Sequence, residues 1–190
     1  MNLKHARAVA GLFALPEPVE AADFPLKGNI NRAAYLISAG APPGRRDYIL
    51  QQLNPGVFKR PETVMEGMIE CLDAQRNAVD AGLLPPGAHW EVPRLIPTKD
   101  GRNYLKLAGE DGVRCWRMMT RIGESRSCKS LQEAADPAAR LRMAAEAGRG
   151  LALFGALTSG MDASRLRRTL PGYRDTPLYY AQLDSVLHGS

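Results

Sequence analysis

Cysteine is scarce in this chain and badly placed for cross-linking. Cys71, Cys115 and Cys128 are odd in number and far apart, with no C-x-x-C and no histidine pair nearby. That argues against a disulfide framework or a zinc site and predicts reduced, buried thiols in a cytosolic protein. Long apolar runs are missing too, and none approaches the roughly 20 residues of a membrane-spanning helix. Ala8 to Leu15 follows Lys4, His5 and Arg7, but it is short, contains Gly11 and ends at Pro16. It reads as an N-terminal helix packed on the first sheet rather than as a signal peptide. Aromatics make up only 6% of residues, and none interleave with a dense basic run. The excess of +5 is scattered over Arg45, Arg46, Arg114, Arg117, Arg121, Arg126 and Arg165 to Arg168, the pattern of a solvated surface and not of a nucleic-acid footprint. No G-x-S-x-G elbow accompanies Ser159, Ser164 or His188, and Glu17, Glu20 and Asp23 read as surface acids. The expectation is a cytoplasmic chain with neither membrane nor nucleic acid as partner.

What is present suffices for one substantial core: 190 residues, 45% of them hydrophobic. Val19 to Leu26 and Ala33 to Ser38 read as a hairpin turning through Gly28–Asn31, and Tyr48-Ile49-Leu50 as a third strand ended by Asn54-Pro55-Gly56. Pro61 suits the first turn of a helix, with Glu62 and Glu66 near its positive end. Val64, Met68, Ile69, Leu72 and Val79 recur at helical spacing, and Gly82 fits the position after the end. Glu91–Thr98 and Arg102–Leu107 flank Lys99-Asp100-Gly101, which predicts a further hairpin, and Val113–Thr120 completes a meander. After Ile122 the pattern turns helical. Asp136 caps a helix carrying Pro137 and running to Gly160, Arg165–Leu170 reads as a short helix, and Thr176-Pro177 starts another. Strands followed by helices predict an α+β fold. Trp90 and Trp116 read as core aromatics, Trp116 on a strand.

A glycine-containing turn between strands can bring backbone N–H groups close to phosphate oxygens, although Gly and Asn also occupy such turns for steric reasons alone. The turn here has company. Phe24-Pro25-Leu26-Lys27-Gly28-Asn29-Ile30-Asn31, Tyr48-Ile49-Leu50-Gln51-Gln52-Leu53-Asn54, and Val57-Phe58-Lys59 with Pro61 resemble the aminoglycoside-phosphotransferase-like kinases, most closely the N-acetylhexosamine 1-kinase branch. Ala108-Gly109 to Trp116-Arg117, Thr120-Arg121-Ile122 and Leu170-Pro171-Gly172-Tyr173-Arg174-Asp175-Thr176 extend the resemblance over residues 8–187.

The resemblance implies a protein-kinase-like N-terminal lobe over residues 1–120, an antiparallel sheet plus one helix, then a hinge and the opening helices of a second lobe over 121–190. It implies that Gly28, Asn29, Ile30 and Asn31 cover the phosphates of ATP. Gln51 or Gln52 would stand where many kinases hold a phosphate-binding lysine, with Glu66 on the helix facing it. Met119, Thr120, Arg121 and Ile122 would border the adenine. Three features depart from the pattern. Arg32-Ala33-Ala34 replaces a polar pair that includes a hydroxyl, and glutamine cannot supply a lysine's charge. Phosphoryl transfer also needs an acid to orient the attacking hydroxyl and residues to hold magnesium, in this family an H-x-D-x-x-x-x-N loop and a later Asp. His5, His89 and His188 are the only histidines and none begins H-x-D. The expectation is a truncated phosphotransferase, related to enzymes that phosphorylate a sugar-like hydroxyl and inactive alone, with ATP as ligand and magnesium only if a complete catalytic lobe is supplied. Its partners would be a nucleotide and a sugar-like molecule, and either a second copy or a complementary catalytic half. The alternative is a non-catalytic module that binds a nucleotide or a protein.

Overall fold

A computed structural model describes residues 3–25, 30–31, 33–109, 112–123, 128 and 130–188. It is a mixed structure built on one antiparallel sheet. Helix α1 (Leu3–Ala10) leads into β1 (Val19–Asp23), β2 (Ala34–Ala39) and β3 (Arg46–Gln52). Helix α2 (Pro61–Asp80) intervenes before β4 (Leu105–Gly109) and β5 (Gly112–Thr120), and α3 (Pro137–Thr158) and α4 (Thr176–His188) follow. The strand order is β1-β2-β3-β5-β4, every pair antiparallel.

Strand alternation divides the sheet chemistry cleanly between two faces. Tyr35, Ile37, Ala39, Tyr48, Leu50, Trp116 and Met118 point to one side and are buried beneath Ala6, Val9, Ala10 and Phe13 of the α1 region. Apolar residues of α1 at helical spacing meet the apolar alternation of the strands, so α1 docks by hydrophobic burial. It lies at Leu3–Ala10, however, and not over the Ala8 to Leu15 stretch read as the helix, of which residues 11–14 form a turn and a bridge. The opposite face is covered only in part. There Met65 of α2 closes over Leu53 and Cys115, with Val64, Met68, Leu95 and Tyr104 around them. Lys106 of β4 reaches Glu62 of α2 at 2.6 Å and fixes the helix start against that edge of the sheet.

Several local expectations hold for stated reasons. Pro61 occupies the first turn of α2, and Gly82 adopts φ +73, the left-handed conformation that glycine enters without a Cβ clash. Asp136 caps α3 by accepting the Ala139 N–H at 2.7 Å. Two expectations need correction. Arg165–Leu170 is not a helix: a 3₁₀ turn spans Ala163–Arg165 and the chain beyond it is irregular. The Asp-Gly turn forms, with the Thr98 N–H donating to the Arg102 carbonyl at 2.8 Å and Gly101 at φ +81, but 91–98 is not a strand. Only Arg94–Ile96 touches β5, through the Ile96 N–H to Met118 and the Thr120 N–H to Arg94 at 2.9 Å each. Pro93 and Pro97 bracket those residues and cannot donate to a ladder, so the edge stops there and β4 resumes it farther along β5.

Among the described residues no helix is long and apolar enough to cross a membrane.

Candidate functional site

The uncovered part of the α2 face is organised in three rows that cross β2, β3 and β5. The registers Ser38↔Asp47, Leu36↔Ile49 and Ala34↔Gln51 join the first two strands, and Ile49↔Met119 and Gln51↔Arg117 join the last two. The second and third rows therefore combine side chains from three strands on one surface, and the first is completed by Arg121 just past the end of β5.

The first row is polar. The Ser38 hydroxyl donates to Asp47 Oδ1 at 2.6 Å, and Arg121 meets Asp47 twice, side chain to Oδ2 at 3.2 Å and N–H to the Asp47 carbonyl at 3.1 Å. This pairing fixes the chain as it leaves β5. The middle row, Leu36, Ile49 and Met119, is a half-buried apolar strip. It lies open beside the α2 cluster, whose buried members are Leu53, Met65 and Cys115.

The third row carries the charge. Nε and Nη2 of Arg117 donate to Gln51 Oε1 at 3.0 and 2.6 Å, and Nη1 lies 2.9 Å from Met68 Sδ on α2. Burial pulls the guanidinium pKa down, yet an arginine remains a cation at neutral pH. Among the described residues no carboxylate pairs with it. Glu62 is engaged by Lys106, which holds its carboxyl below the ordinary value, and Glu66 on α2 is exposed. Burial first, and Glu62 second, pushes the neighbouring Cys115 thiol up to about 11, so it stays neutral and is no counter-ion.

The sheet gives this surface a direction. Ile30 and Asn31, from the turn before β2, are tied to the end of β3: the Asn54 N–H donates to Asn31 Oδ1 at 2.9 Å and Asn54 Nδ2 to the Ile30 carbonyl at 2.8 Å. Ile30 and Asn31 therefore adjoin the third row, whereas Arg121 and Ile122 adjoin the first. The strand rise puts about 13 Å between Asp47 and Gln51 along β3. Gly28 and Asn29, expected to share in that turn, lie outside the described residues.

Of the other sequence candidates, Gln51 and Met119 share the surface, but Gln52 pairs with Trp116 and so faces the α1 side. Glu66 makes no contact with Gln51; Met68 is the α2 residue that reaches this row. Leu36, Ile49 and Arg117 are among the residues of the surface that carried no assignment from sequence. A signal for them existed, because Arg117 lies two residues before Met119 and Ile49 two before Gln51, and strand alternation puts each pair on one face.

A cleft of about 1040 Å³ opens beyond the first row, between the Arg46–Asp47 end of β3, the C-terminal half of α2 and the 89–94 segment. Thr120 and Arg121 line it, and Ile122 borders a neighbouring one of about 810 Å³. Its many arginines are largely neutralised locally. Arg45 pairs with Glu20 at 2.5 Å, Arg76 with Asp73 and Arg121 with Asp47. The row surface, with its apolar strip and unneutralised cation, is the better-defined chemical site.

No family model matches the sequence, and no curated protein matches it. Among solved structures, that of the microcompartment-associated aminopropanol kinase aligns with 70% of this chain and 36% of its own, at 15% identity and a TM-score of 0.41.

Proposed function

We propose that the sheet is the nucleotide-holding lobe of a small-molecule phosphotransferase and that the three-row surface is its ATP site. The observation that carries this reading is the register itself. It sets an apolar strip, Leu36–Ile49–Met119, beside a cationic row, Gln51–Arg117, with Asn31 joined to Asn54 at the cationic end and the exit from β5 at the other. A purine base is flat and apolar on its faces and suits the strip. A phosphate chain is anionic and suits the cation. The Ile122 peptide makes no hydrogen bond to another described residue, which supports a role in pairing with the edge of the base. The motif resemblance supports the same polarity, with Ile30 and Asn31 at the phosphate end and Met119, Arg121 and Ile122 at the base.

By that resemblance the reaction served is ATP-dependent phosphorylation of a sugar-like hydroxyl. These 190 residues contain no H-x-D-x-x-x-x-N, so the lobe contributes binding and not the transfer step. Calorimetric titration with ATP and adenosine tests the proposal. Binding of both, with no sugar phosphate formed from Mg-ATP and N-acetylhexosamine, is the expected result. Absence of adenosine binding at millimolar concentration would remove the base site.

A second reading, a module that binds protein, is favoured by one observation. Leu141 and Leu151 on α3 are 74% and 75% exposed, and α4 buries none of its residues while Tyr180, Val186 and Leu187 face solvent. A native mass that rises with concentration supports it; a constant monomer mass counts against self-association as the use of those faces.

A further inference from the structure

We infer that Arg117 is the cation that binds the anionic, phosphate-bearing part of the ligand, presented by Gln51 in place of the lysine that β3 lacks. This inference rests on the nucleotide reading for the identity of the ligand but not for the existence of the anion site.

Arg117 has donors that its neighbours leave unsatisfied. A guanidinium offers five N–H donors. Two of them share one acceptor, Gln51 Oε1, and a third meets only the thioether of Met68, a weak acceptor. The remaining donors have no partner among the described residues. A half-buried cation with spare donors and no carboxylate is costly unless an anion completes it. Even the more exposed cations Arg121 and Lys106 have carboxylate partners, Asp47 and Glu62, whereas Arg117 has none among the described residues.

Gln51 also orients the guanidinium. Gln51 is a neutral acceptor whose carbonyl grips Nε and Nη2 together, which locks the guanidinium plane without neutralising it. An acid at position 51 would quench the charge, and a lysine would supply a second one. Met68 packs the other side of the group and fixes its depth against α2. The spare donors stand in the row next to the Asn31–Asn54 junction. A tri- or diphosphate at that end of the strip would find bidentate donors.

The test uses tripolyphosphate and adenosine as separate probes of the two halves, with ATP as the whole. For the wild-type chain, tripolyphosphate binding is expected and should protect Arg117 from phenylglyoxal, read by peptide mass mapping, whereas adenosine should not. Arg117→Met should weaken both tripolyphosphate and ATP about tenfold or more while leaving adenosine affinity within about twofold. The double variant Gln51→Lys/Arg117→Met should recover most of the ATP affinity, because it moves the cation to β3 over the same row. A strut that merely held Gln51 in place would not be rescued. Unchanged tripolyphosphate affinity in Arg117→Met would overturn the inference, as would wild-type chain that binds adenosine but neither tripolyphosphate nor, through Arg117, ATP. Tripolyphosphate binding lost in Arg117→Met with no adenosine binding at all would sustain the anion site and remove the nucleotide reading instead. If Arg117→Met loses its folded circular dichroism, the wild-type protection pattern decides alone: no protection of Arg117 means no anion site there.

Discussion

Leu50 and Ile49 are consecutive residues of β3 and should respond to alanine in opposite ways, because they stand on opposite faces of the sheet. Leu50 is fully buried under α1, and Leu→Ala at such a site costs about 3 kcal/mol from lost transfer energy and the cavity left behind. For a chain of this length each kcal/mol lowers the midpoint by about 2–4 °C, so Leu50→Ala should melt about 6–12 °C early. Ile49 is half-buried in the open strip. Removing its three outer carbons at about 0.8 kcal/mol per fully buried methylene, scaled for half burial, costs about 1.2 kcal/mol, or about 2–5 °C. The same carbons would meet a bound base, so ATP and adenosine affinity should fall by about fivefold, equivalent to about 1 kcal/mol. Leu50→Ala should leave affinity nearly unchanged at temperatures where the protein is folded. Differential scanning calorimetry and isothermal titration of the two variants read both numbers. Equal losses of midpoint, or an affinity that drops in Leu50→Ala and not in Ile49→Ala, would refute the assignment of faces on which the site rests.

Three further outcomes follow from other parts of the structure. Cys115, buried and pushed up to about 11 from an ordinary 9.0, should be alkylated at pH 8 roughly a hundredfold more slowly than an ordinary exposed thiol, measured by peptide mass spectrometry. The Glu62–Lys106 pair lowers the carboxyl pKa and raises the ammonium pKa, so its contribution is present between the two ordinary values. It fades as pH falls below the ordinary carboxyl value of 4.5, or rises above the ordinary ammonium value of 10.5. The midpoint difference between wild type and Glu62→Gln should therefore be small and flat through neutrality and should vanish in acid; a difference that widens in acid would contradict the sign. Asp136→Ala removes the acceptor of the Ala139 N–H and should cost about 1 kcal/mol, seen as faster hydrogen exchange at the start of α3 with little change in the sheet.

The parts of the fold that were legible in the sequence are those set by local chemistry. Pro61 and Gly82 bracket α2, Asp136 starts α3, and the apolar alternation of β2 and β3 is visible without coordinates, since each signal acts within a few residues. The segment 91–98 reads as a strand by composition yet meets β5 only through Arg94–Ile96, while Pro97 and Thr98 pair with residues 13–14, because two prolines deny the ladder its donors and the place beside β5 is shared with β4. At the site the division is the same. Gln51, Met119, Arg121 and Ile122 are expectations of the motif resemblance, and the register brings Gln51 and Met119 onto one face. That Gln52 turns to the α1 side, and that Met68 rather than exposed Glu66 meets the site, depends on how α2 is seated on the sheet. Seating is decided by contacts among residues far apart in the chain, such as Met65 with Cys115 and Glu62 with Lys106. By itself the sequence determined an α+β chain with a named set of strands and helices and a missing lysine on β3. Only the tertiary structure supplied Arg117, because a cation on β5 becomes the neighbour of Gln51 through cross-strand register, and register is a property of paired strands and not of either one alone.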